Sequence, residues 1–132
     1  MSRYCLDTSA YGHFQRGDPA VVELIDGAEW IGLPAVVLGE LRVGFRLGGR
    51  GQANLAALAE FVAHPAVEVL DVDAAVAEHY ADIILDLRRR GSPIPTNDVW
   101  IAATAARHGV PVLTYDAHFE AIARVGTVLL AR

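Results

Sequence analysis

Four acidic residues stand at positions where their carboxylates could hold a cation: Asp7, Glu40, Asp98 and Asp116. A single aspartate after a strand is adequately explained as a helix cap or a turn residue. Four acids together, one of them in a strongly apolar segment, favour a shared metal site instead. Their ligand atoms are hard oxygens with no histidine or cysteine interleaved, a set that suits Mg²⁺ or Mn²⁺ better than zinc. The sequence therefore predicts a magnesium or manganese centre.

Glu40 carries the strongest physical argument of the four. It lies in a predicted helix, residues 35–47, that is apolar almost all round and is therefore expected to be buried. The residues three and four positions away are three valines and one glycine, so no neighbour on the helix can neutralise its charge. Because a buried, unpartnered carboxylate is unfavourable by several kcal/mol, we expect compensation from elsewhere in the fold, such as metal ions shared with other carboxylates.

Apolar runs of strand length alternate with helical patterns along the chain. Strands are predicted at residues 3–6, 30–33, 67–70, 110–114 and 127–130. Helices are predicted at residues 10–16, 19–27, 35–47, 52–63, 73–90, 97–108 and 117–123, several of them followed by glycine. This alternation predicts an α/β protein, a three-layer α/β/α sandwich with a central, mainly parallel sheet. Without repeats or linkers, residues 1–132 are expected to form one domain.

Such a sheet would bring distant acids together, because ligands of open parallel sheets bind beyond the carboxyl ends of the strands. Asp7 follows the first predicted strand and Asp116 the fourth. Asp98 opens a helix whose dipole favours a carboxylate at its N-terminus, and either Thr96 or Asn97 is expected to cap that helix.

Composition limits the remaining choices. The chain has 132 residues, 53% of them hydrophobic, with neither a signal-peptide pattern nor a charge-free run of membrane-spanning length, so we expect a cytoplasmic protein without membrane contact. The single cysteine, Cys5, suits a reducing compartment, and its apolar neighbours favour a buried side chain over a nucleophile. The net charge of −5 argues against a nucleic-acid partner, yet all 11 basic residues are arginines, which bind phosphate well. Net charge alone therefore does not decide whether the chain binds nucleic acid.

Several other polar and aromatic residues are better explained by a structural role than by a catalytic or metal-binding one. Glu78, Asp82 and Asp86 share one face of a helix that has arginines one turn later, which is typical of a solvated surface. Trp100 is expected to anchor its helix in the core. The five histidines show no metal-ligand spacing, so none is assigned a role.

Four short segments occur in an order that matches a known family. They are LDTS at 6–9, GEL at 39–41, TNDVWIAA at 96–103 and TYDAHF at 114–119. The first is common in unrelated proteins, whereas the third, which runs directly into an apolar helix, is far more specific. On these segments, which span nearly the whole chain, the sequence resembles PIN-domain ribonucleases and, among them, the VapC-type toxins of bacterial toxin–antitoxin pairs.

The resemblance implies a PIN-like sandwich and a metal-dependent endoribonuclease that acts as a toxin. Asp7, Glu40, Asp98 and Asp116 would be its catalytic acids and would bind Mg²⁺ or Mn²⁺, which activates a water for attack on phosphorus. The products would carry a 5′-phosphate and a 3′-hydroxyl. Some relatives have a further acid close to the third aspartate, and none follows Asp98 here within four residues, so the number of metal ions, one or two, stays open.

The resemblance also implies supporting residues and partners. Four polar residues would orient the carboxylates or the scissile phosphate: Thr8, Ser9, Thr96 and Asn97. The substrate would be RNA, either transfer RNA or ribosomal RNA. Among the arginines, Arg42 and Arg46 are the candidates to contact it. The partners would be a second copy of the chain and a VapB-type antitoxin. Two successive helices carry more apolar surface than a lone helical hairpin would hide, and ordinary core packing explains most of it, while a groove that binds a helix of the antitoxin would explain the rest. The residues are Leu41, Phe45, Leu55, Leu58 and Phe61.

Three other classes of protein fit the sequence less well. A phosphatase of the haloacid dehalogenase type also has an aspartate after its first strand, but it needs a second aspartate two residues later, where this chain has Ser9, and a lysine, which the chain lacks. A response-regulator receiver domain also needs a lysine, so this class is disfavoured for the same reason. A non-catalytic binding module with the same fold is disfavoured because all four acids are present.

Overall fold

The computed structural model describes residues 2–131, in which five parallel strands form one sheet. In chain order the strands are β1 (Arg3–Leu6), β2 (Trp30–Pro34), β3 (Val67–Leu70), β4 (Val112–Thr114) and β5 (Thr127–Leu129). Their order across the sheet is β3-β2-β1-β4-β5, and every neighbouring pair is parallel. The predicted α/β class and parallel sheet are confirmed.

Helices connect the strands on both faces of the sheet. They are α1 (Thr8–Gln15), α2 (Pro19–Asp26), α3 (Ala35–Leu47), α4 (Gly51–Ala63), α5 (Ala74–Arg89), α6 (Thr96–His108) and a short 3₁₀ helix, Ala117–Ala121. The chain moves from β1 to β3 in one direction and then crosses to the other side of β1 for β4 and β5. Because parallel crossovers are right-handed, this reversal places the helices before and after it on opposite faces. The three-layer sandwich is confirmed.

Buried apolar side chains from the strands and from both helix layers form the core. Cys5 lies in it with 0% exposure, and burial raises the pKa of its thiol far above the usual range, so the thiolate needed for nucleophilic attack does not form. Trp100 packs against the core and stacks on Tyr80 at 3.7 Å between ring centroids. Both sequence predictions, a buried cysteine and a tryptophan anchor, are confirmed.

Helix α3 departs from its prediction. Only Val37 and Leu41 are buried, while Val43 is 60% and Leu47 84% exposed, and Glu40 is half-buried. The expectation of a fully buried helix is wrong, because α3 packs against β2, α4, α6 and α1 and still leaves Val43 and Leu47 open.

Two helix ends also differ from the prediction. Helix α1 begins two residues early, because the Asp7 carboxylate accepts the Ala10 N–H and caps the first turn. At α6 the cap position is Pro95 and no side chain caps the helix, so the expectation that Thr96 or Asn97 does so is wrong. Both residues already lie within the first turn of α6.

The acidic face of α5 is a surface feature, as expected. Asp82 pairs with Arg124 at 3.2 Å and Asp86 with Arg90 at 2.8 Å, and Glu78 is exposed. The Asp82–Arg124 pair connects α5 with the chain that follows the 3₁₀ helix, whereas the Asp86–Arg90 pair lies at the C-terminal end of α5. None of the helices formed by residues 2–131 combines the length and the apolar composition needed to cross a membrane.

Candidate active site

The candidate site lies where the strand order reverses, between β1 and β4. The two strands are parallel neighbours, with Leu6 aligned to Leu113, so they end side by side at the same edge of the sheet. Asp7 follows β1, and Thr114 closes β4 two residues before Asp116. A reversal of strand order in a parallel sheet opens a crevice beyond the strand ends, which is where such folds bind ligands.

Asp7 is held rigidly by its donors. Ser9 Oγ donates to its carboxylate at 2.8 Å, the Ala10 N–H donates at 2.8 Å, and the buried Thr114 hydroxyl donates to Oδ2. The side chain is only 4% exposed. Burial raises the pKa of Asp7 above its usual value and the negative charge of Asp116 adds to this, while the three hydrogen bonds oppose it.

Asp98 reaches the same crevice from the first turn of α6. Burial is the largest cause that raises its pKa, followed by repulsion from Asp116 and, more weakly, from Asp7. A contact from His118 opposes these effects. Three aspartates from distant parts of the chain therefore face one another closely enough to repel, as predicted from the strand ends.

His118 is a site residue that the sequence interpretation missed. Its Nδ1 lies 3.2 Å from Oδ1 of Asp116 and 3.4 Å from Oδ2 of Asp98. One ligand atom from each of these three residues lies within 4.8 Å of the others. The sequence signal for His118 was its position two residues after Asp116, at the start of a predicted helix. That spacing indicates a shared site only when α6 is known to place Asp98 beside both residues.

Glu40 lies beside this group and has neutral partners. Thr8 donates its hydroxyl to Oε1 at 2.7 Å, and Nδ2 of Asn97 donates to Oε2 at 3.4 Å. The expectation that Glu40 is buried is therefore wrong, since α3 is half-exposed. The partners expected from elsewhere in the fold are in part the polar groups that reach Glu40 from α1 and α6. These contacts place Glu40 between the helices that carry Asp7 and Asp98.

The predicted supporting residues divide into two groups. Thr8, Ser9 and Asn97 each donate to one of the acids, whereas no side-chain hydrogen bond of Thr96 occurs among residues 2–131. Thr114, which was not predicted, has the most central position: its hydroxyl donates to Asp7 and accepts the Asp116 N–H at 2.9 Å. A threonine at the end of an apolar strand gives no sequence signal for such a role.

A groove of about 420 Å³ is lined by Thr8, Glu40, His13, Arg16 and neighbouring residues of α1 and α3. Glu40 is the one candidate acid that lines it, and Arg16, which the sequence analysis did not single out, also lines it. Arg42 and Arg46 are exposed on α3, and within residues 2–131 neither forms an ion pair, so their charges are available to a ligand.

A compact α/β/α sandwich with converging aspartates at its switch point is the architecture of the PIN domain. The chain matches the sequence profile described as PIN domain over residues 4–125, and it belongs to that family. It is 35% identical to Ribonuclease VapC4 of Mycobacterium tuberculosis over 98% of both chains. It is 32% identical to the tRNA(fMet)-specific endonuclease VapC of Shigella flexneri, over 96% of this chain and 97% of that one.

Among solved structures, the chain is similar to VapBC-5 from Mycobacterium tuberculosis, described as a member of the VapBC family of toxin-antitoxin systems. The TM-score is 0.77 at 30% identity, covering 98% of this chain and 100% of that chain. Membership of the PIN family sets aside the phosphatase and receiver alternatives, whose lysine this chain lacks.

The donor set of this chain fits a divalent cation. Three carboxylates converge, and within residues 2–131 none of them pairs with an arginine. Burial, with repulsion between the acids added to it, raises the pKa of Asp7 and Asp98. Carboxylate oxygens with one imidazole nitrogen are ligands that Mg²⁺, Mn²⁺ and similar ions accept. A cation at this position would relieve the repulsion.

Proposed function

We propose that this protein is a metal-dependent endoribonuclease that acts as the toxin of a VapBC-type toxin–antitoxin system. The observation that carries the proposal is the convergence of Asp7, Asp98 and Asp116 at the switch point: the Thr114 hydroxyl joins the Asp7 carboxylate to the Asp116 backbone, and Asp98 and Asp116 both lie against His118. Two relatives that align with this chain over nearly their full length are named as a ribonuclease and as a tRNA(fMet)-specific endonuclease. We also propose that residues 1–132 function as a single PIN domain.

Asp7, Asp98 and Asp116, with Glu40 beside them, would hold Mg²⁺ or Mn²⁺. The bound ion would supply an activated water and a positive charge next to the leaving oxygen. The chain itself fixes the carboxylates: Ser9 donates to Oδ1 of Asp7 and Thr114 to Oδ2, and the hydroxyl and amide donors around Glu40 restrain it. This preorganisation means that little reorientation is needed when the phosphate arrives.

We propose RNA as the substrate, entering along the groove beside Glu40. Arg16 lines that groove, and Arg42 and Arg46 extend positive charge along the exposed side of α3. These arginines supply local charge for phosphate although the net charge of the chain is −5. The name of the Shigella flexneri relative, 32% identical, favours transfer RNA over ribosomal RNA.

We propose an antitoxin of the VapB type and a second copy of the chain as partners, all in the cytoplasm. VapBC-5, at 30% identity, is a toxin–antitoxin complex by description. The apolar surface differs in part from the predicted one: Leu41 and Leu58 are buried, whereas Phe45, Leu55 and Phe61 remain partly accessible. The exposed Val43 and Leu47 of α3 would complete this partner surface.

The decisive experiment is to incubate the purified protein, free of any antitoxin, with transfer RNA in Mg²⁺, in Mn²⁺ and in chelator. We expect discrete cleavage with either metal and none in chelator, with activity restored by adding metal back. Products should carry a 5′-phosphate, which a phosphate-dependent exonuclease detects. Cleavage that persists in chelator would contradict the metal mechanism. Normal growth on expression would contradict the toxin role and leave the nuclease intact.

Thr114→Val tests the support of Asp7. The substitution keeps the side-chain volume but removes the donor to Asp7 and the acceptor of the Asp116 N–H. We expect RNA cleavage to fall about 10- to 100-fold, the usual effect of losing a residue that orients a metal ligand. Cleavage rates at saturating Mg²⁺ and the concentration of Mg²⁺ at half-activity would be measured.

Thr104→Val is the matched control. Thr104 is equally buried, but its hydroxyl donates to the carbonyl of Trp100 within α6, away from the acids. We expect Thr104→Val to change the free energy of unfolding by about 1 kcal/mol and to leave cleavage unchanged. Equal cleavage by the two variants would refute a specific role for the Thr114 hydroxyl.

A further inference from the structure

We infer that His118 binds the metal directly, its Nδ1 joining one oxygen each of Asp98 and Asp116, and that it makes the site prefer Mn²⁺ to Mg²⁺. This inference rests on the proposed function, since it concerns the same site. It adds a nitrogen ligand to a set that the sequence had described as oxygen alone.

The distances between the three ligand atoms fit one shared ion. Nδ1 of His118 is 3.2 Å from Oδ1 of Asp116 and 3.4 Å from Oδ2 of Asp98. Neighbouring ligands of an octahedral Mg²⁺, bound at about 2.1 Å, are separated by about 3.0 Å. The two observed separations are close to this value, so the three side chains can share one ion with little movement. The third atom pair, between Asp98 and Asp116, lies within 4.8 Å, so a small movement of one carboxylate brings all three atoms onto one ion.

The local fold holds His118 in this place. Its backbone N–H donates to Oδ1 of Asp116 at 2.9 Å, which begins the 3₁₀ helix and turns the imidazole back over the acids. The next residue, Phe119, is 0% exposed and fixes that helix in the core. The His118 side chain itself is 54% exposed and packs little, so the fold does not depend on the imidazole.

The chemistry of imidazole determines the expected preference. Mg²⁺ binds oxygen ligands and retains several waters, whereas first-row transition ions accept imidazole nitrogen readily. Replacing one oxygen position by Nδ1 should therefore improve Mn²⁺ binding relative to Mg²⁺. Asparagine places an amide oxygen close to the position of Nδ1, so His118→Asn converts the set to oxygen ligands without removing the contact.

The experiment is electron spin-echo spectroscopy of Mn²⁺ bound to the full-length protein. Directly bound imidazole gives a characteristic ¹⁴N modulation, which we expect in the wild type and in the control His64→Asn, an exposed histidine outside the site. We expect the modulation to disappear in His118→Asn. Titration should show Mn²⁺ affinity reduced about tenfold in that variant, with Mg²⁺ affinity nearly unchanged.

The outcomes separate this inference from the proposed function. Mn²⁺ that binds the wild type without ¹⁴N modulation, or modulation that persists in His118→Asn, would overturn the inference, and His118 would then only neutralise the two carboxylates. RNA cleavage is measured on the same samples. Absence of cleavage together with clear ¹⁴N modulation would overturn the nuclease proposal and support the ligand assignment.

Discussion

Asp7→Asn should abolish RNA cleavage, by about a thousandfold or more, while the protein remains folded. Loss of one charged ligand weakens metal-based stabilisation of the transition state by several kcal/mol, and about 4 kcal/mol corresponds to about a thousandfold in rate. The amide would also place an N–H₂ group among the hydroxyl donors of Ser9 and Thr114, which disturbs the carboxylate geometry of the site.

The same substitution should not destabilise the metal-free protein strongly. Asp7 is a buried charge, only 4% exposed, and repulsion from Asp116 adds to the cost of ionising it. A neutral amide removes that cost and loses part of the hydrogen bonding, so we expect the thermal midpoint to change little or to rise. Loss of activity with an unchanged midpoint is the signature of a functional residue.

Asp71→Asn is the matched control. Asp71 also follows a strand of the sheet, β3, but this strand lies at the edge, away from the switch point, and Asp71 is exposed. We expect wild-type cleavage from this variant. Substantial cleavage by Asp7→Asn, measured with labelled RNA under single-turnover conditions, would exclude Asp7 from the metal site.

Leu113→Ala should reduce the free energy of unfolding by about 3–5 kcal/mol. Leu113 is 0% exposed in β4, between β1 and β5, where neither neighbouring strand can move into the cavity that the substitution leaves. Since small domains are stable by about 5–15 kcal/mol, this variant should lose a large share of its stability. Urea unfolding followed by circular dichroism would measure the change.

Leu85→Ala makes the same chemical change on the surface of α5. Leu85 is 54% exposed, so we expect the free energy of unfolding to change by less than about 0.5 kcal/mol. Because β4 also carries Thr114 and leads to Asp116, Leu113→Ala should lose cleavage on warming well before the control does. Similar stabilities of the two variants would contradict the placement of β4 in the core.

Most of the secondary structure could be predicted because it depends on local pattern. The apolar periodicity of residues 35–47 and 67–70 gave α3 and β3 with their observed bounds. The N-terminal ends of α1 and α6 were predicted less well. Each depends on a single residue, the orientation of one carboxylate at α1 and the position of one proline at α6. The cap of α1 is Asp7 itself, for which the sequence offered both capping and metal binding but could not fix the residue at which the helix begins.

The sequence by itself determined which acids form the candidate site, since residue type, strand-end position and motif order are all local properties of the chain. Only the tertiary structure decided how those acids are surrounded. Glu40 has neutral partners from α1 and α6, and its helix is half-exposed, because burial depends on which elements pack alongside. His118 and Thr114 became site residues because the β1–β4 pairing and the position of α6 bring together groups far apart in sequence, and no local pattern encodes such a distance.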